Sequence, residues 1–270
     1  MMTGMSKEFV DTHFHVFNAG DGLPQARYKP AYDASMDAWK QASQQSGVHR
    51  GVLVQASFMG TDNTRLLREL ESEPKRLRGI AVIAPDVDTA QFAQWHAAGV
   101  RGIRLNLAGV SHEIPEWHNA DSVWSAMSKL DWHLEIHTDV GALPSVLQQL
   151  PGDIPLVLDH MAKPDRLTDD DPTVRAVLQR LRKTSVHIKL SGAYRLAGRP
   201  AGQIAKMWLE RIGAERLLWG SDWPCTNHEA EANYAKLFKQ LEAWVGNEVA
   251  EQVLVRNPSA LYWKDRVLAR

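Results

Sequence analysis

Eight short apolar runs, set roughly 30 residues apart and separated by stretches that can form helices, constrain this chain more than any other feature. They are FVDTHFHVF (9–17), GVLVQAS (51–57), RGIAVIAP (78–85), GVRGIRLNL (99–107), WHLEIHTD (132–139), IPLVLDHM (154–161), VHIKLSG (186–192) and RLLWGSDWP (216–224). Most are rich in Val, Ile and Leu, the composition of parallel strands buried on both faces. Between them, Asp33 to Gly47 reads as a helix stopped by glycine. Asp62 opens another that continues RLLRELESE, and Asp88 caps one that runs through Trp95 to Gly99. Further helices are expected to begin at Asp121, Thr173, Gln203 and Glu229, and closing helices run from Asn247, with Pro258 suited to a first turn. This alternation predicts an α/β fold, a (β/α)₈ TIM barrel forming a single domain over residues 1–270, near the ~250 residues typical of such barrels. A doubly wound open sheet is the competitor, but it would more usually carry a glycine-rich phosphate turn after an early strand, and none is present. The stretch NAGDGLPQARYKPAY (18–32) is then a long loop on the catalytic rim.

Composition narrows the function. A formal charge of −1 gives no electrostatic argument for nucleic acid or an anionic membrane. No run approaches the ~20 apolar residues that span a bilayer, and the first ten residues lack a signal-peptide core. The single cysteine, Cys225, excludes an internal disulfide and fits a reducing compartment. The expectation is a cytoplasmic protein acting on a small molecule, with no nucleic-acid or membrane partner and with a homo-oligomer left open.

In a barrel, catalytic groups come from the C-terminal ends of different strands. Those ends carry His13 and His15, Gln55 and Ser57, Arg104 and Asn106, His137 and Asp139, then Asp159, His160 and Lys163. Strand seven adds Lys189, Ser191, Tyr194 and Arg195, and strand eight Asp222. A lone histidine at a strand end is more often satisfied structure than ligand; four histidines and an aspartate at one barrel mouth reverse that expectation. Residues i and i+2 of a strand share a face, so His13 and His15 both aim at the barrel axis while Phe14 turns to the helix layer. Neutral imidazoles so placed suit a divalent transition metal, and His137 and Asp222 can supply further ligands.

The ordered set His13, His15, His137, His160 and Asp222 resembles the amidohydrolase superfamily (amidohydrolase-related, family 2), with its HxH on strand one, histidines on strands five and six, and aspartate on strand eight. The stretches VQASFMGTDN (54–63), GVRGIRLNL (99–107), LDHMAKPD (158–165), WGSDWP (219–224) and NPSALYW (257–263) are most similar to the branch of 2-pyrone-4,6-dicarboxylate hydrolases and sugar lactonases. Binuclear members carry a carboxylated lysine on strand four; here that strand has Arg104 and Asn106, which argues against two metals. The pyrone-dicarboxylate hydrolases work without metal, have tyrosine where this chain has His137, and carry a basic residue soon after strand four. The segment NLAGVSHEIPE (106–116) has no Lys or Arg, which weakens the dicarboxylate assignment.

The resemblance implies hydrolysis of a small lactone. One divalent ion, zinc by preference, would sit on His13, His15, His137 and Asp222; a metal-free site is the variant reading. Asp222 is the expected base, and His160 supports it or polarises the carbonyl. Arg104 and Arg195 are expected carboxylate anchors, with Ser57, Tyr194, Lys163 and Tyr28 as further substrate contacts. Trp219 and Trp223, two of the ten tryptophans, flank Asp222 and are expected to wall the pocket. The competing readings are a metal-dependent decarboxylase or C–C hydrolase, and a barrel that binds ligand without catalysis. A serine hydrolase is disfavoured because no GxSxG elbow occurs.

Overall fold

A computed structural model describes residues 8–264. Eight parallel strands form one sheet in the order of the chain. They are β1 (Phe9–Phe14), β2 (Val48–Val54), β3 (Leu77–Ala81), β4 (Val100–Asn106), β5 (His133–His137), β6 (Leu156–Leu158), β7 (Val186–Leu190) and β8 (Leu217–Trp219). Between them run α1 (Met36–Gln44), α2 (Thr64–Ser72), α3 (Phe92–Ala98), α4 (Asp121–Lys129), α5 (Leu143–Gln148), α6 (Pro172–Leu181) and α7 (Ala201–Ile212), and α8 (Tyr234–Val245) follows β8. This is the expected (β/α)₈ barrel.

Strands β1 and β8 share no regular ladder. The seam between them is closed just above β8, where the Asp222 amide donates to the His13 carbonyl at 2.8 Å and the His15 amide to the Trp223 carbonyl at 2.8 Å. The Thr12 hydroxyl donates to the Trp219 carbonyl at 2.7 Å. Asp11, fully buried, fastens the same seam from outside: it accepts from the Ser221 amide at 2.9 Å and hydroxyl at 2.6 Å, from Trp39 Nε1 at 3.1 Å and from the Tyr234 hydroxyl at 3.0 Å. Gly220 is required there, because a Cβ would lie 2.5 Å from that of His13. Phe14 turns outward as expected and stacks on Trp39 of α1, with ring centroids 4.0 Å apart.

The lower barrel interior is an apolar plug of Val52, Val54, Ile80, Val157 and Leu218, capped by Tyr262 from the last helix. Above it the filling changes to charged side chains, described below. The closing segment forms helices at Asn247–Glu251 and Asn257–Tyr262, the second with Pro258 in its first turn, joined by a π-helical stretch at Gln252–Arg256.

Three local expectations are corrected. The helix expected from Glu229 starts at Tyr234, because Asn233 accepts from the Lys236 amide and caps it, while the Glu229 carboxylate is occupied elsewhere. Helix α5, with Pro144 in its first turn, adds an element to the expected set between β5 and β6. The runs at 154–161 and 216–224 yield only three-residue strands, since the chain leaves the ladder for left-handed backbone at His160–Lys163 (φ between 43° and 61°) and at Asp222 (φ 58°). Those two departures swing His160 and Asp222 into the mouth.

Candidate active site

Asp222 is the hub of the site. Its Oδ2 accepts from Arg195 Nε at 2.5 Å and from the Tyr194 hydroxyl at 2.8 Å. Its Oδ1 lies 3.6 Å from His13 Nε2 and 3.5 Å from His15 Nε2. One carboxylate oxygen is thus pinned and the other faces two imidazoles. Burial alone would raise the Asp222 carboxyl, but Arg195, His160, His15 and His13 hold it well below the ordinary carboxylate range. Both expected carboxylate anchors, Arg104 and Arg195, are already paired with acids of the barrel. Arg195 takes Asp222, and Arg104 pairs with Asp159 through Nε at 2.9 Å and Nη2 at 2.8 Å.

The free nitrogen of His15 follows from what its other nitrogen does. His15 Nδ1 lies 2.8 Å from the Val54 carbonyl, which only accepts, so Nδ1 carries the proton and Nε2 presents its lone pair to Asp222. His13 Nδ1 lies 3.1 Å from Asp159 Oδ1 and 3.4 Å from Glu135 Oε1, with Lys189 Nζ at 3.1 Å. Its Nε2 is buried and has no hydrogen-bond partner. Burial lowers the His13 imidazole to about 3.

His13, His15 and Asp222 therefore offer three ligand atoms to one point, within 4.8 Å of one another. The separations of 3.5 and 3.6 Å match the edge, about 3.4 Å, of a tetrahedron with ~2.1 Å metal–ligand bonds. The orphaned His13 Nε2 is the atom such an ion would satisfy. His13, Asp159 and His160 form a second candidate group. His137 is not brought into the first. Its Nε2 lies 2.8 Å from Lys163 Nζ and its Nδ1 3.5 Å from Arg104 Nη2, and its ring packs edge-on to His160 at 4.5 Å. His160 Nδ1 faces the Ser191 hydroxyl at 3.0 Å.

Beneath this layer lies a buried ionic cluster that the sequence reading largely missed. Lys189 Nζ donates to Glu135 Oε2 at 2.5 Å and sits 3.6 Å from Asp159 Oδ1. Burial and the neighbouring Asp159 push the Glu135 carboxyl up to about 8. Glu135 was discoverable: His133, Glu135 and His137 alternate along β5 and so share the interior face.

A cavity of about 520 Å³ opens over the mouth, lined among others by Arg27, Tyr28, Ser57, Asn106, His137 and Arg195. A smaller inner hollow reaches His15, Arg104, His160 and Asp222. Ser57 accepts from Asn106 Nδ2 at 2.8 Å. Lys163, brought in by the left-handed turn, has its amine lowered to about 8 by burial and by repulsion from Arg195. Tyr28 lies at the rim, where its hydroxyl and that of Tyr32 donate to Glu229 Oε1 at 2.5 and 2.7 Å. Arg27, unremarked in the sequence, reaches the segment after β4 that has no Lys or Arg of its own. Cys225 is buried and its thiol is pushed up to about 12, first by burial and then by Asp222, which excludes it as a nucleophile at neutral pH. Among the described residues no helix is long and apolar enough to cross a membrane.

Residues 10–263 match the family model described as "Amidohydrolase". The chain is 28% identical to a 2-pyrone-4,6-dicarboxylate hydrolase of Comamonas testosteroni, over 96% of this chain and 91% of the other. It is 28% identical to a 4-sulfomuconolactone hydrolase of Rhizobium radiobacter, covering 79% and 75%. Among solved structures, one assigned to the 2-pyrone-4,6-dicarboxylic acid hydrolases, from Acinetobacter baumannii with citric acid bound, superposes with a TM-score of 0.85 at 32% identity, covering 96% of this chain and all of that one.

Proposed function

Because this chain belongs to the amidohydrolase family, we propose that it hydrolyses a small lactone carrying an acid group, with Asp222 as the proton acceptor. The observation that carries this reading is the divided Asp222 carboxylate, with Oδ2 held by Arg195 and Tyr194 and Oδ1 open toward His13 and His15. Oδ1 is placed to accept a proton from a water that attacks a carbonyl lying in the inner hollow. Relatives named as hydrolases of a pyrone dicarboxylate and a sulfomuconolactone support the lactone class, since both names describe rings bearing acid groups.

A carboxylate held as low as Asp222 takes a proton from ordinary water poorly. When bound, a divalent ion, zinc by preference, would supply the missing acidity, since such an ion brings water from 15.7 to about 7. His13, His15 and Asp222 would hold it, while His137, the expected fourth ligand, faces Lys163 instead. Asp222 accepts the proton of the attacking water and delivers it to the leaving ring oxygen. His160, buried and held neutral well below its ordinary value by burial, contacts the carbonyl from the strand-six side. Arg104 and Arg195 attract the substrate's carboxylate while each remains paired with its own aspartate, and Ser57, Tyr194, Lys163 and Tyr28 complete the contacts.

The direct test is a panel of carboxylated and neutral lactones, assayed before and after chelator treatment, with metal content measured alongside. Opening of a carboxylated lactone that falls on stripping and returns with zinc is the expected result. Activity on none of the lactones, with turnover of an aromatic acid instead, would replace this reading by decarboxylation.

Lys163 provides a pH test. Its amine is cationic below about 8 and neutral above. KM for a carboxylated lactone is therefore expected to rise as pH passes about 8, while that for a neutral lactone stays level. Lys163→Met should raise KM at pH 7 and abolish the inflection; an unchanged profile in the variant removes Lys163 from substrate binding.

A further inference from the structure

We propose that Arg27, on the loop after β1, binds an anionic group at the outer end of the cavity and selects substrates that carry a second acid group there. The inference rests on the lactonase reading for the reaction, but not for the binding. The cavity of about 520 Å³ has two arginines in its wall, Arg27 and Arg195, and no Asp or Glu among the described residues that line it. Arg195 is already committed to Asp222. Arg27 pairs with no carboxylate among the described residues; Nη1 donates to the Gly109 carbonyl at 2.6 Å and Nη2 to that of Ala108 at 2.7 Å. Those two bonds use two of the five N–H donors of a guanidinium. An exposed arginine ordinarily loses much of its attraction to an anion in the cost of being fixed. Here the head is already fixed. It lies on bare backbone at Gly109, where a Cβ would clash with Nη1 and where φ is +68°. The same loop is fastened at its far side by Tyr28 and Tyr32 on Glu229. Both clamps hold a cation at the rim without neutralising it.

Planar, non-hydrolysable acids separate this role from the chemistry. Benzene-1,3-dicarboxylate and benzoate are titrated calorimetrically into the full-length protein at low ionic strength. The wild type is expected to prefer the dicarboxylate. Arg27→Met should weaken the dicarboxylate about tenfold to a hundredfold, the size of one charge-assisted contact to a carboxylate, and leave benzoate within about twofold. Arg27→Lys should restore part of the loss. Gly109→Ala, which keeps the charge but unseats the head, should fall between. No preference in the wild type, an unchanged dicarboxylate affinity in Arg27→Met, or an equal loss for both acids overturns the proposal, the last by showing that Arg27 only holds the loop. If the binding difference appears and no lactone is opened, the proposal stands and the lactonase reading fails.

Discussion

Asp222→Asn is expected to lower kcat for lactone hydrolysis by roughly 10²–10⁴ while the protein stays folded. The amide keeps the shape of the side chain and one carbonyl-type oxygen. It loses the charge that Arg195 and Tyr194 grip through Oδ2, and it loses the basic Oδ1 that faces His13 and His15. Metal content should fall as well if Oδ1 is a ligand, which separates two roles that activity alone would merge. Near-wild-type kcat in a folded variant removes Asp222 as the base. Near-wild-type metal content with lost kcat makes it the base and not an essential ligand.

Lys189→Met is expected to cost about 3–5 kcal/mol of stability at pH 8, because it strips a buried cation from two buried carboxylates. Lys189 lies against Glu135 and close to Asp159, and all three are fully shielded from solvent. Without it, the two acids keep Arg104 and the His13 imidazole, which burial holds neutral. The sign of the pH dependence follows from Glu135. Its carboxyl is already raised to about 8 in the fold, so the folded state binds a proton that the unfolded chain releases above about 4.3. That group's penalty is absent below the unfolded value and grows as pH rises toward the folded one. Removing Lys189 raises the folded value further and extends the penalty upward. Urea melts of variant and wild type at pH 5.5 and pH 8 should therefore show the larger difference at pH 8. A difference under about 1 kcal/mol at both would mean that the cluster is held by packing and Arg104 rather than by the lysine.

The barrel itself was legible because buried parallel strands write themselves as short Val, Ile and Leu runs, and each run here became a strand. The direction of His13, His15 and Phe14 was legible for the same reason: strand alternation is a local property. Helix α5 was not, since six residues with Pro144 near the start carry too little periodicity to register. The partners of the site residues were also beyond reach. Arg104 and Arg195 each had an acid to find, and only the closed barrel decides that Asp159 goes to one and Asp222 to the other. Glu229 looked like a helix opener because glutamate suits first turns; its actual partners, Tyr28 and Tyr32, lie about two hundred positions away. Arg27 stood in a loop with no pattern, and its meaning depends on two carbonyls from the loop after β4.

The seam between β1 and β8 carries a consequence for how the molecule comes into being. Its bonds join segments 207 to 223 residues apart, so they are contacts that a folding chain closes against a large loop entropy. His13 and His15 stand on one side of that join and Asp222 on the other. A nascent or partly folded chain, however much of its helical shell is in place, holds two halves of a reaction centre that have not met. Completion of the fold and onset of chemistry are then one event, and recovery of turnover after dilution from denaturant times the closing of the ring.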